Sequence, residues 1–375
     1  MQRHLIGGAL VVCSLIFSPF RGECASVNAF FPTNLVSDLP GVAAHQDTNL
    51  VNPWGIAFSG SSPIWIADNG TGLSTVYNGA GQGFPVASPI VVTVPPAAGG
   101  TPPSAPTGIV FNSGANFGGS HFIFASEDGT ISGWAGGANA IREADNSASG
   151  AVYKGLASGN NLLFAANFHA GTIDVFDSTF ASTTVPGGFL DPNIPAGFAP
   201  FDIQNIDGNL YVTYAKQDPA KKDDEPGNGN GYIDVFDTNG VLQKRLVSGG
   251  ALNSPWGLAL APAGFGPFGG DLLVGNFGNG MINAYDPGTG GLVGTLQDAQ
   301  GNPLVEQGLW GLAFGNGSQG TSKGSLYFTA GIPGPGQIED HGLFGSINPV
   351  PEPAAAWLIL SGLAVCWRLR RRMIQ

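Results

Sequence analysis

Polar residues recur at matching points along this chain, each directly after a short apolar run. They are Asp68 and Asn69, Glu127 and Asp128, Asn167 and His169, Lys216 and Asp218, and Asn276, with Gly331 at the sixth equivalent point. Asp68, Glu127, Asn167 and Asn276 offer carboxylate and amide oxygens, the donor types of Ca2+ or another divalent cation, which takes about six to eight of them. A metal held there would activate water against an ester or lactone. The competing reading is turn chemistry, because Asp, Asn and Gly are what tight turns demand. Residues 218–230, DPAKKDDEPGNGN, are the longest polar insertion. Asp223, Asp224 and Glu225 lack the alternating spacing of an EF-hand loop. Their Pro, Gly and charged surroundings read as a solvated, mobile loop placed to act as a lid.

Other chemistries find no support. His45, His121, His169 and His341 stand alone, without the paired spacing of a zinc site. No Gly-x-Ser-x-Gly elbow is present. The string Gly227-Asn228-Gly229-Asn230-Gly231 does not join a strand to a helix, so it is no phosphate loop. Trp54, Trp256 and Trp310 read either as a sugar platform or as packing residues between repeated units.

The elements that position these residues are repeats. Asn52-Pro53-Trp54-Gly55-Ile56-Ala57-Phe58 returns as Ser254-Pro255-Trp256-Gly257-Leu258-Ala259-Leu260 and as Gly308-Leu309-Trp310-Gly311-Leu312-Ala313-Phe314. Weaker copies begin at Ala105, Tyr153 and Ala199, giving spacings of 46 to 55 residues. Each opening is followed by a second run such as Ile64-Trp65-Ile66-Ala67, a glycine-bearing turn, and a third run such as Ile233-Asp234-Val235-Phe236. A fourth run can be read after most of them, as in residues 90–94 and 241–247. Four short strands per repeat at this period predict an all-β, six-bladed β-propeller of four-stranded antiparallel blades over residues 30–349. The last repeat has no room for a fourth strand. Thr33-Asn34-Leu35-Val36-Ser37 resembles the fourth-strand segment Lys244-Arg245-Leu246-Val247-Ser248. The N-terminal strand is therefore expected to close the last blade and remove its open edge.

The ends differ in kind from this domain. Arg3 and His4, an apolar run over 5–20 and small residues at Ala25, Ser26 and Ala29 read as a secretory signal peptide over residues 1–29. At the other end Pro351, Glu352 and Pro353 precede an apolar stretch over 354–367, then Arg368, Arg370, Arg371 and Arg372. The stretch is short for a full span, and the arginines would hold its end at the cytoplasmic face. These three parts in order resemble the PEP-CTERM sorting signal. The resemblance covers residues 350–375 and implies exosortase as a partner, in a Gram-negative bacterium that makes an exopolysaccharide. A simple C-terminal membrane anchor predicts the same topology.

Trimming the ends sharpens the composition. Cys13, Cys24 and Cys366 all fall within them, so the domain has no thiol and no disulfide. Residues 30–349 keep eight of the 14 Lys and Arg and 24 of the 26 Asp and Glu, a formal charge of −16. Nucleic acid needs a basic surface and is excluded as a partner.

Leu50-Val51-Asn52-Pro53-Trp54-Gly55, Ala67-Asp68-Asn69-Gly70-Thr71-Gly72, Tyr214-Ala215-Lys216-Gln217-Asp218 and the paired Ile-Asp-Val-Phe-Asp strings from Ile173 and Ile233 resemble an uncharacterised six-bladed β-propeller family whose members often carry PEP-CTERM tails. That resemblance implies the fold and no established activity. More distantly, the repeats are similar to NHL and gluconolactonase-type propellers, and the resemblance to the gluconolactonase type implies a divalent metal on a comparable carboxylate and amide set. The leading expectation is an exported binding or structural module of the cell envelope, surface or exopolysaccharide matrix. Its partner would be a polysaccharide or surface protein. The alternative is a divalent-metal-dependent lactonase or esterase working at the channel mouth.

Overall fold

The computed structural model describes residues 27–335 and 337–351. Most of the segment read as a signal peptide, and the sorting signal from Glu352 through Pro353 to Arg370, Arg371 and Arg372, lie outside the described residues. Among the described residues no helix is long and apolar enough to cross a membrane.

The described residues form six sheets, five of four antiparallel strands and one of five strands. Blade 1 holds Pro53–Ala57, Ile64–Asp68, Leu73–Tyr77 and Val91–Thr93. Blade 2 holds Pro106–Phe111, Phe122–Ser126, Thr130–Trp134 and Ile141–Asp145. Blade 3 holds Tyr153–Gly159, Leu162–Asn167, Thr172–Phe176 and Ser182–Thr183. Blade 4 holds Phe198–Ile206, Asn209–Lys216, Tyr232–Phe236 and Leu242–Ser248. Blade 5 holds Pro255–Leu260, Leu272–Asn276, Ile282–Tyr285 and Leu292–Thr295. Blade 6 holds Leu309–Phe314, Leu326–Ala330 and Leu343–Pro349. Phe30–Ser37 is its fourth strand, antiparallel from Phe30 opposite Pro349 to Ser37 opposite Leu343. His45–Gln46 adds a short parallel fifth.

Strand periodicity explains how the ring coheres. Successive side chains point to opposite faces, so Ile64 and Ile66 pack toward blade 6 while Trp65 and Ala67 pack toward blade 2. The same division repeats around the ring, giving one buried apolar cluster at each of the six blade junctions. The closing strand takes part in two of them. Leu35 and Val36 pack between blades 6 and 1. Phe30, 1% exposed, lies 4.9 Å from the ring of Phe265 and 5.9 Å from that of Phe268, toward blade 5. Polar bonds fasten the strand's end: Ser37 Oγ donates to Gly342 O at 2.7 Å, and Gly342 N–H donates to Asp38 Oδ1 at 2.8 Å.

The recurring glycine of the opening motif is a steric requirement. A Cβ on Gly108 would come 2.4 Å from Leu156 N, and one on Gly311 would come 2.5 Å from Trp54 O. Neighbouring inner strands approach too closely at these two glycines for a side chain.

Candidate functional site at the channel mouth

Each inner strand slips in register against its neighbour at the same place. The slips fall between Pro53 and Ile56, Pro106 and Ile109, Tyr153 and Gly155, Pro200 and Asp202, Pro255 and Leu258, and Leu309 and Leu312. A bulge re-aims a side chain. The residues within these bulges are Trp54, Thr107, Lys154, Phe201, Trp256 and Trp310. Four are aromatic, and with Phe168 and Phe277 they form one buried cluster. Trp54 and Trp310 stack with centroids 3.5 Å apart, and Phe277 stacks on Trp310 at 4.0 Å. Trp256 stands edge-on to both, at 6.0 and 5.7 Å. With 1 to 4% of their surface exposed, Trp54, Trp256 and Trp310 are packing residues and not a sugar platform.

Lys154 stands where three other blades carry Trp. It is 2% exposed, and its Nζ lies 5.1 Å from the centroid of Trp54 and 6.0 Å from that of Phe168. A buried ammonium needs paired charge. Glu127 accepts a short hydrogen bond from it, and Asp223 Oδ1 accepts another at 3.1 Å. Burial acts to lower the Lys154 pKa, but Glu127 and Asp223 overcome it and hold it above its ordinary value. Burial likewise acts to raise Glu127, and Lys154 overcomes it, so that carboxyl sits below its usual range.

From Glu127 a polar chain crosses the mouth. Asn69 Nδ2 donates to Glu127 Oε2 at 3.2 Å, and Asn52 Nδ2 donates to Asn69 Oδ1 at 3.3 Å and to Glu339 Oε1 at 3.0 Å. Trp310 Nε1 donates to Asn52 Oδ1 at 3.2 Å, which ties the network to the aromatic cluster. Burial pushes Glu339 up to about 7, with Asn52 and Lys154 opposing and Glu127 and Asp223 adding to it. Burial also pushes Glu306, in the loop entering blade 6, to about 7.

The loop over 218–230 does reach the mouth, but it is bonded down. Asp223 meets Lys154, Glu225 pairs with Lys216, and Glu225 N–H donates to Lys216 O at 2.8 Å. Asp218 Oδ1 accepts from the backbone N–H of Lys222 and Asp223, and Asn253 Oδ1 accepts from Gly227 N–H at 2.7 Å. The side chains of a polar loop thus supply the bonds that order it, which its composition alone does not reveal.

Of the four residues expected to bind metal, Glu127, Asn167 and Asn276 are each spent on other partners, and both buried carboxylate oxygens of Asp68 lack a hydrogen-bond partner. Asp68 is fully buried within blade 1, and burial with the nearby Asp47 pushes its carboxyl well up, with Thr75 opposing. Glu127 serves Lys154. Asn167 Oδ1 accepts from Val152 and Ala170 N–H, and its Nδ2 donates to Asp174. Asn276 Oδ1 accepts from Asn253 N–H at 3.0 Å while its Nδ2 donates to Ala251 O at 3.2 Å. Among the described residues no group of three or more His, Cys, Asp or Glu side chains is arranged to hold a metal ion. The amides therefore do not fit a cation as they stand. Lys154 and Glu339 were not singled out by the recurring turn positions. Aligning the repeats on their glycines would have placed Lys154 in the Trp column, an anomaly visible in sequence. Glu339 lies in the long connection before the last strand and carries no such signal.

No family model matches the chain. It is 34% identical to uncharacterized protein R648 of Acanthamoeba polyphaga mimivirus over 354 residues, covering 88% of this chain and 83% of that protein. It is 35% identical to uncharacterized protein L690 of the same virus over 335 residues, covering 84% of this chain and 85% of that protein. Among solved structures, it is similar to a virginiamycin B lyase from Staphylococcus aureus, with a TM-score of 0.51 and 14% identity over 86% of this chain and 99% of the lyase. It is also similar to a protein of unknown function from Bacteroides thetaiotaomicron, with a TM-score of 0.53 and 11% identity over 85% of this chain and 76% of that one. At these identities the likeness is one of fold alone.

Proposed function

This chain belongs to the family of the mimivirus proteins R648 and L690, and on that premise, with no activity to inherit, we propose from its own residues that it is an exported binding module. Residues 1–29 direct export, and an exosortase reads residues 350–375, delivering the propeller to the cell surface or exopolysaccharide matrix. The observation that supports binding is the state of the mouth. Its buried cation is already shared by Glu127 and Asp223, and stacked aromatics fill the axis beneath. A rigid acidic rim over a filled axis suits an extended ligand lying across it. With a domain charge of −16, that ligand is a neutral or amine-bearing polysaccharide and not a polyanion. Sugar hydroxyls would donate to the rim carboxylates.

The second reading, a lactonase or esterase, draws on one observation: Glu306 and Glu339 titrate at about 7, where a carboxyl can move protons. Its metal-dependent form would need Asn167 and Asn276 to give up their present bonds.

The test is retention of the full chain on immobilised exopolysaccharide from the producing cells. Binding that weakens at least tenfold in Asp223→Asn is expected. Turnover of a lactone or ester, with no polysaccharide retained, would favour the second reading.

A further inference from the structure

The opposite end of the axis holds a second feature, separate from the mouth. Where five blades carry the motif glycine, at Gly55, Gly108, Gly155, Gly257 and Gly311, blade 4 carries Asp202. The substitution is accommodated by its neighbour: a Cβ on Gly155 would come 2.1 Å from Asp202 Oδ1. Asp202 is 5% exposed, and its backbone N–H donates to Thr213 Oγ1 at 2.9 Å. Burial drives its carboxyl well above the ordinary value, opposed by the backbone N–H of Ile203.

Asp202 lines a chamber of about 20 Å³ walled also by Gly55, Gly108, Gly257, Gly311 and Gln204. Ile56, Ile109, Gln204, Leu258 and Leu312 line both this chamber and an adjoining wider funnel of about 410 Å³. The funnel is built from the outgoing ends of all six inner strands, with Phe58, Phe111, Leu260 and Phe314 among its walls. Among the described residues Asp202 is the only charged group lining either compartment.

We propose that chamber and funnel together bind a small amphipathic primary amine, with its ammonium against Asp202 and its hydrocarbon body in the funnel. A chamber of this size admits one water-sized group, and an ammonium is such a group, with three donors and no acceptor. A charge-assisted bond to a carboxylate in a water-poor site is strong. A bare divalent cation is the poorer fit, because it needs about six to eight oxygens and no metal-holding group of acidic, His or Cys side chains exists among the described residues. Burial raises the Asp202 pKa, and the ammonium's charge favours the carboxylate, so a proton held by the carboxyl passes to the buffer as R–NH3+ seats and a carboxylate–ammonium pair forms.

The experiment is calorimetric titration of the full chain with n-hexylamine, n-butylamine and n-hexanol at pH 7. Hexylamine should bind saturably, and hexanol, which carries no charge, should not. Each methylene should tighten binding about fourfold. Asp202→Asn should abolish amine binding while melting as the wild type does. Ala313→Trp, which narrows the funnel and leaves Asp202 in place, should weaken hexylamine more than butylamine. The proposal is overturned by hexanol binding as tightly as hexylamine, or by no amine binding in the wild type. If Asp202→Asn does not fold, an Ala313→Trp protein that binds hexylamine unchanged overturns it equally.

Discussion

Lys154 Nζ lies 3.1 Å from Asp223 Oδ1, joining the inner strand of blade 3 to the long loop of blade 4. The lysine side chain is 2% exposed and the aspartate 63%. One end of the bond is therefore fixed in the aromatic core and the other faces solvent. This links the rim of the mouth to the packing of the ring.

The partner that matters for stability is Glu127, whose side chain is 12% exposed. Removing it leaves a buried ammonium short of charge. Glu127→Gln should cost about 3–5 kcal/mol in urea unfolding, and Lys154→Met a comparable amount. The double variant should lie much nearer the wild type, because apolar replacement of a buried pair is often neutral. Additive losses would contradict this.

The mouth carboxyls set a pH dependence of definite sign. Glu306 and Glu339 titrate at about 7 in the folded chain against an ordinary 4.5. Between those values the folded state binds more protons than the unfolded one, so stability falls as pH rises. The melting temperature should decline from pH 5 toward pH 8. Glu306→Gln with Glu339→Gln should flatten the decline and raise the pH 8 value.

Ring closure depends on the first described strand. Phe30→Ala should cost about 3–5 kcal/mol, the usual range for emptying a fully buried aromatic site. Deleting residues 30–40 should abolish the cooperative melt. A deletion that melts like the wild type would show that the ring closes some other way.

Because Asn167 and Asn276 spend their amide oxygens on backbone N–H groups, millimolar Ca2+, Mg2+ or Mn2+ should leave the melting temperature unmoved. A site filled at 100 times its Kd would add about 2.7 kcal/mol, which differential scanning fluorimetry resolves.

The six blades and the closing strand were legible because a propeller repeats its strand chemistry. The runs from Ile64, Phe122, Leu162, Leu210, Leu272 and Leu326 are all second strands, and the echo between Leu35-Val36 and Leu246-Val247 marked equivalent positions. The site was less legible because function sits in departures from a repeat. Counting recurring Asp and Asn found the turns. Lys154 in the Trp column and Asp202 in the Gly column are the residues that break the pattern, and a bulge turns the Trp column toward the axis. Which carboxyl faces Lys154 depends on a loop 69 residues downstream, and no local pattern encodes that pairing.

Calorimetric titration of the full chain with the producing cells' purified exopolysaccharide tests the central claim most directly. Saturable binding is expected in the wild type, weakened at least tenfold in Asp223→Asn at an unchanged melting temperature. No binding by the folded wild type, or equal binding by the variant, would contradict it.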